Sequence, residues 1–104
     1  MVSRKEIEDN LSKVMDPELG LNIVEMGLIY SIDIKRKQKG KMQKVFIKMT
    51  FTTPACPLMN EILEQIKSGL DAFKDLDIEL NVVFDPPWSP ERMSKKAKLR
   101  LGFL

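Results

Sequence analysis

No histidine occurs in the 104 residues, and cysteine occurs once. Without imidazole there is no Ser-His-Asp triad, no Cys-His dyad and no histidine metal ligand. A single thiol excludes an intramolecular disulfide and a CxxC redox pair. It equally excludes a zinc finger or an iron–sulfur cluster held by four cysteines of one chain. Any chemistry must run on carboxylates, hydroxyls, lysines or that thiol. Neither sign of charge dominates: 17 Lys and Arg stand against 15 Asp and Glu, a net +2. That balance argues little for a nucleic-acid partner. No apolar run approaches the roughly 20 residues of a membrane-spanning helix, so no membrane partner is expected. The N-terminal MVSRKEIEDN has no hydrophobic signal segment. An unpaired cysteine suits a reducing compartment, and a cytoplasmic protein is expected.

What is present is a foldable composition. Hydrophobic residues make up 43% of the chain, enough for one packed domain over residues 1–104. Six prolines cluster at three places: Pro17; Pro54 and Pro57; Pro86, Pro87 and Pro90. They divide the chain into segments. Ser3 and Glu6 form a capping box ahead of Ile7, Leu11 and Val14, which predicts a helix over 4–15. Pro17 ends it, and DPELG (16–20) reads as a turn. Residues 28–36 alternate with Leu28, Tyr30, Ile32 and Ile34 on one side. Residues 44–51 alternate with Val45, Ile47, Met49 and Phe51 inward. The polar stretch 37–41 joins them as a hairpin. Leu58, Met59, Ile62, Leu63, Ile66, Leu70 and Phe73 recur at helical spacing behind Pro57. A third strand over 78–84 turns Ile78, Leu80, Val82 and Phe84 inward. Ser89 is expected to cap a last helix running from Pro90 to near Gly102. The order α-β-β-α-β-α predicts a two-layer α/β domain. Its three-stranded mixed sheet should carry helices on one face only.

A right-handed crossover points the second and third strands the same way. TTPACP (52–57) and DPPWSP (85–90) then leave the sheet at one edge, where ligands sit in open α/β sheets. The antiparallel first strand starts at that edge, which brings DPELG there too. Asp16, Glu18, Thr52, Thr53, Cys56, Asp85 and Trp88 are therefore candidate neighbours. Cys56 precedes a helix-opening proline, and a helix N-terminus favours thiolate. A small buried hydrophobe is the equally good alternative for Cys56. Asp16 and Glu18 could bind a hard cation or orient a partner; turn aspartates more often bond their own backbone. Thr52 and Thr53 admit the same pair of readings. Trp88 between prolines is a contact surface or a lid over the core. The cluster Lys35, Arg36, Lys37, Lys39, Lys41 and Lys44 lacks interleaved aromatics, so a solvated hairpin is favoured over a nucleic-acid site.

Three blocks carry a resemblance: DPELGLNIVEMGLIY (16–30), MTFTTPACPL (49–58) and FDPPWSPERMS (84–94). Together they resemble the signature blocks of the SufT/PaaD-like iron–sulfur assembly family, in its short SufT-like form. The chain ends without the C-terminal cysteines of the PaaD type. The resemblance implies an α/β domain that helps mature iron–sulfur proteins. Its site falls on Asp16, Glu18 and Leu19, then Thr52, Thr53 and Cys56, with Asp85, Pro86, Pro87 and Trp88 framing it. Implied partners are an iron–sulfur carrier or scaffold and apo client proteins.

One thiolate cannot hold a cluster alone, since clusters take four protein ligands. Two chains would supply two, which leaves room for a homodimer. The favoured mechanism is an adaptor that offers Cys56 as a transient ligand for a cluster or metal, with no cluster stably bound by one chain. Soft thiolate ligands suit iron–sulfur centres and Zn²⁺ alike. The runner-up is an enzyme with Cys56 as nucleophile and Asp16 or Glu18 as base. A nucleic-acid-binding domain using the basic hairpin ranks third.

Overall fold

The computed structural model describes residues 2–17, 19–36, 38–55 and 57–103. Helix α1 (Arg4–Leu11) starts with the expected capping box. Ser3 Oγ accepts from the Glu6 amide at 3.2 Å, and Glu6 Oε1 accepts from the Ser3 amide at 3.3 Å. The helix ends four residues before position 15, because Met15 is claimed by a strand. Strand β1 (Met15–Asp16) pairs antiparallel with β2 (Leu21–Asn22), and the Ile23 amide donates to the Val14 carbonyl at 3.0 Å. Val14 is still buried, so the apolar spacing was read correctly while its backbone was not. Pro17, Leu19 and Gly20 lie in the turn between these strands, a pairing with too little apolar alternation to be visible in sequence.

The main sheet runs β3 (Ile29–Ile34), β4 (Gln43–Met49), β5 (Leu76–Val82), in that spatial order. β3 is antiparallel to β4, and β5 is parallel to it across helix α2 (Met59–Leu70). Ile32, Ile47 and Leu80 form one cross-strand row on the buried face. The register shifts between Ile29 and Ser31, so Ile29 faces Met49 and Tyr30 occupies a bulge. Val45, Ile47 and Met49 share one core cluster with Ile7 and Leu11 of α1 and Ile62, Ile66 and Leu70 of α2. On the opposite face Asp33, Lys44, Lys48 and Glu79 are exposed. The architecture is the expected two layers, with helices on one face. α1 and α2 approach closely where Gly69 passes Asn10; a Cβ on Gly69 would lie 2.6 Å from Asn10 Oδ1.

The C-terminal segment departs from expectation. Pro90–Arg92 forms a single 3₁₀ turn, and the backbone is extended at Met93. Helix α3 (Lys95–Leu101) then begins afresh, capped by Ser94 rather than Ser89: Ser94 Oγ accepts from the Ala97 amide at 3.1 Å. Two anchors impose the break. Met93 is buried, and the Ser94 amide donates to the Glu25 carbonyl at 2.8 Å. Gly102 ends α3 at φ +85° as the sequence predicts. β5 stops at Val82, so Phe84 lies past the strand and is exposed instead of inward. Among the described residues no helix is long and apolar enough to cross a membrane.

Candidate functional site

Two hydrogen bonds just beyond the strand ends define one edge of the sheet. The Thr50 amide donates to the Leu28 carbonyl at 2.9 Å, and the Val83 amide donates to the Met49 carbonyl at 2.8 Å. The start of β3, the exit of β4 and the exit of β5 therefore meet. The loops bearing TTPACP and DPPWSP leave from adjacent positions, as strand direction implied. Thr50 and Phe51 are buried and close the core at this edge. From Thr52 the chain surfaces: Thr52, Thr53, Pro54 and Ala55 are exposed. Thr53 Oγ1 accepts from the Ala55 amide at 3.3 Å, the local backbone role that threonines commonly take. Cys56 lies outside the described residues, but its chain neighbours Ala55 and Pro57 are exposed. Helix α2 begins at Met59, with Leu58 as N-cap and no side-chain cap bond. Cys56 thus stands three residues ahead of the first helical residue, further from the helix end than the proline signal suggested.

Glu18 also lies outside the described residues. Its neighbour Asp16 is 9% exposed, and its Oδ1 accepts from the Leu19 amide at 3.2 Å. The Asp16 carbonyl accepts from the Gly20 amide at 2.9 Å, with Gly20 at φ +67°. Asp16 therefore shapes the turn, as turn aspartates do. Leu19 is 38% exposed at its tip. Gly20 faces α3: a Cβ built there would lie 3.7 Å from Arg100 Nη2.

The third block is fastened along the first. Tyr30 Oη donates to the Pro86 carbonyl at 2.8 Å, and Trp88 Nε1 donates to the Met26 carbonyl at 2.7 Å. The Arg92 guanidinium stands 4.5 Å over the Tyr30 ring, within cation–π range. Gly27, at φ +75°, lets the backbones touch: a Cβ there would fall 2.2 Å from the Arg92 carbonyl oxygen. Asp85, Pro86 and Pro87 are exposed, while Trp88 is half-buried as a lid over the core. Glu91 is exposed; its own backbone amide and then the Ser89 hydroxyl hold its carboxyl below the usual carboxylate range. Tyr30, Gly27, Arg92 and Ser94 went unnoticed in the sequence as fasteners. The one available signal was an isolated glycine inside an otherwise apolar stretch. Replacing Trp88 with Phe keeps an aromatic ring, trims the indole that packs on the core and removes the donor. The expected cost is about 1–2 kcal/mol, read as a lower denaturation midpoint with unchanged m-value.

The basic hairpin occupies the opposite end of the sheet, where the Lys35 amide donates to the Lys44 carbonyl at 2.9 Å. Lys35 Nζ is paired with Asp33 Oδ2 at 2.8 Å. Lys37 lies outside the described residues. Changing Lys37, Lys39 and Lys41 together to Gln is expected to leave the function of the chain within twofold of wild type, about 0.4 kcal/mol. Complementation of a strain carrying only the variant checks this.

The fold is a small two-layer α/β domain whose irregular loops leave from one edge of the sheet. The chain belongs to the iron–sulfur cluster assembly protein family, whose model matches residues 4–83. It is 36% identical over 100 residues to the Fe-S protein maturation auxiliary factor YitW of Bacillus subtilis, covering 95% of this chain and 93% of that protein. It is 38% identical over 90 residues to the Fe-S protein maturation auxiliary factor SufT of Staphylococcus aureus, covering 86% and 97%. The conserved hypothetical protein TM0487 of Thermotoga maritima shares its fold, with a TM-score of 0.80 at 36% identity over 97% of this chain and 95% of that one. The resemblance read from the three blocks is borne out.

Proposed function

We propose that this protein is an accessory factor in iron–sulfur protein maturation, with the cluster as cargo. Cys56 serves as a transient thiolate ligand, while the loops around it hold a carrier or scaffold on one side and an apo client on the other. The observation that carries this reading is the shared edge. The Thr50–Leu28 and Val83–Met49 bonds start the TTPACP and DPPWSP loops side by side. The exposure of Thr52 through Ala55, and of Pro57, leaves that loop open to a partner. The naming of YitW and SufT as maturation auxiliary factors supports the same reading.

The chain's own chemistry favours a transient role. A cluster is stable with four ligands, and one chain supplies one thiolate. The other ligands come from the donor, the recipient, a small thiol, a second chain or nearby carboxylates. Glu18 follows Pro17 in the DPELG block, and we assign it to the same site as Cys56. An incomplete ligand set lets a cluster pass through, since the recipient offers more bonds than this protein withdraws. The cluster exchanges Fe–thiolate ligands as it passes, and no covalent bond of an organic substrate is made or broken, so the role is that of an adaptor rather than a catalyst. The cytoplasm is the compartment that would keep Cys56 reduced.

An anaerobic pull-down tests this reading. The wild-type protein is expected to retain iron–sulfur carrier or client proteins that Cys56→Ala retains much less. Equal recovery of the same partners by both forms would remove Cys56 from the interaction.

A further inference from the structure

After Glu91 the chain carries no acid. Arg92, Lys95, Lys96, Lys98 and Arg100 follow without a single Asp or Glu. Glu91 is the one acid of residues 91–103, and, after its own backbone amide and Ser89, Lys98 helps to hold its carboxyl down; at the basic hairpin Asp33 pairs with Lys35 and Asp77 lines the groove. α3 also exposes apolar side chains beside its cations. Leu99 and Phe103 are 58% and 56% exposed, the two largest exposures among the described large hydrophobics. Phe103 is held in place despite its position near the end of the chain. Its amide donates to the Lys98 carbonyl at 2.7 Å, the closing bond of the turn around Gly102. The surface continues into the candidate site through Arg100, whose Nη2 flanks Gly20, the residue after Leu19. Leu19 is itself 38% exposed.

We propose that Leu99, Arg100 and Phe103, continued by Leu19, dock an acidic segment of a partner protein that carries apolar anchors. The inference rests on the maturation role above and supplies the partner chemistry that the role lacks. Charge complementarity sets the occupant: five cations against the one acid Glu91 in residues 91–103 select carboxylates, and the leucine and phenylalanine select aliphatic or aromatic side chains between them. A phosphate backbone would use the cations and leave the apolar pair in water. A lipid surface would need a longer apolar face than a seven-residue helix presents.

The test is fluorescence anisotropy with a labelled twelve-residue peptide of glutamate and leucine, against a glutamate–glycine peptide of equal charge. Wild type is expected to bind the leucine-containing peptide, weaken with salt and bind the glycine peptide about tenfold less. Leu99→Gln with Phe103→Gln, and separately Lys96→Glu with Arg100→Glu, are each expected to lose about tenfold in affinity. All four positions are at the surface, and circular dichroism verifies the fold. Lys39→Gln with Lys41→Gln is expected to bind as wild type. The proposal is overturned if the leucine peptide fails to bind, if both peptides bind alike, or if the hairpin variant loses as much. It is overturned in favour of a lipid surface if phosphatidylserine vesicles bind wild type and compete the peptide off. It is overturned in favour of a second copy if sedimentation shows a wild-type dimer that the Leu99 and Phe103 changes dissociate. Cys56→Ala separates the two readings. It should bind the peptide normally, so intact maturation in that variant would fault the role of Cys56 and leave the docking surface standing.

Discussion

Gly27→Ala is expected to destabilise the protein by about 3 kcal/mol, against about 1 kcal/mol for Gly40→Ala. Both glycines have left-handed backbones, at φ +75° and +76°. A side chain costs about 1–2 kcal/mol in that conformation, so this part is common to both. The surroundings differ. Nothing lies within 4 Å of a Cβ at Gly40, whereas one at Gly27 meets the Arg92 carbonyl oxygen at 2.2 Å and its carbon at 2.7 Å. Backbone cannot rotate away as a flexible side chain can. The Arg92 segment must shift, which strains its neighbouring attachments: Trp88 to Met26, and Ser94 to Glu25. For a domain whose total stability is about 5–15 kcal/mol, this is a large share. Denaturant titration of both variants measures it. Equal losses at the two positions would mean that the third block does not press on the first.

The second large effect is on function. Cys56→Ala is expected to lower client enzyme maturation in cells by about tenfold or more, because even partners of metal ligands are worth 10–100-fold. Stability should change little. The residues around it, Thr52 to Ala55 and Pro57, are exposed, and surface substitutions cost within about 0.5 kcal/mol. A functional loss with an unchanged denaturation midpoint separates a ligand from a packing residue.

The layered fold was legible because its strongest signals are periodic. Val45, Ile47 and Met49 alternate, and Ile62, Ile66 and Leu70 recur at helical spacing; all six are buried. The direction of β5 and the shared loop edge followed from crossover handedness. Three features were not legible. The Met15–Asp16 and Leu21–Asn22 ribbon is too short to show a period. The bulge at Tyr30 shifts the register by one residue, so that Ile29 and not Tyr30 packs on the core opposite Met49, against the alternation of Leu28, Tyr30, Ile32 and Ile34 read from the sequence. The break between Arg92 and Lys95 depends on a tertiary bond, Ser94 to Glu25, that connects positions far apart in sequence. A Ser-Pro start at 89–90 looks like any helix cap until that bond is known. The candidate site divided in the same way. The adjacent exits of the TTPACP and DPPWSP loops were readable, but the turn-shaping role of Asp16 and the clasp of Tyr30, Trp88 and Arg92 were matters of three-dimensional contact.

We propose that the DPELG block and the Cys56 loop form one functional site. A double-mutant cycle on client maturation in cells tests it directly, using Glu18→Gln, Cys56→Ala and the two combined in folded variants. Residues that serve one step are non-additive. The double variant is expected to be about as impaired as the worse single variant. Losses that multiply, with each residue acting independently of the other, would contradict it and return Glu18 to the role of a solvated turn residue.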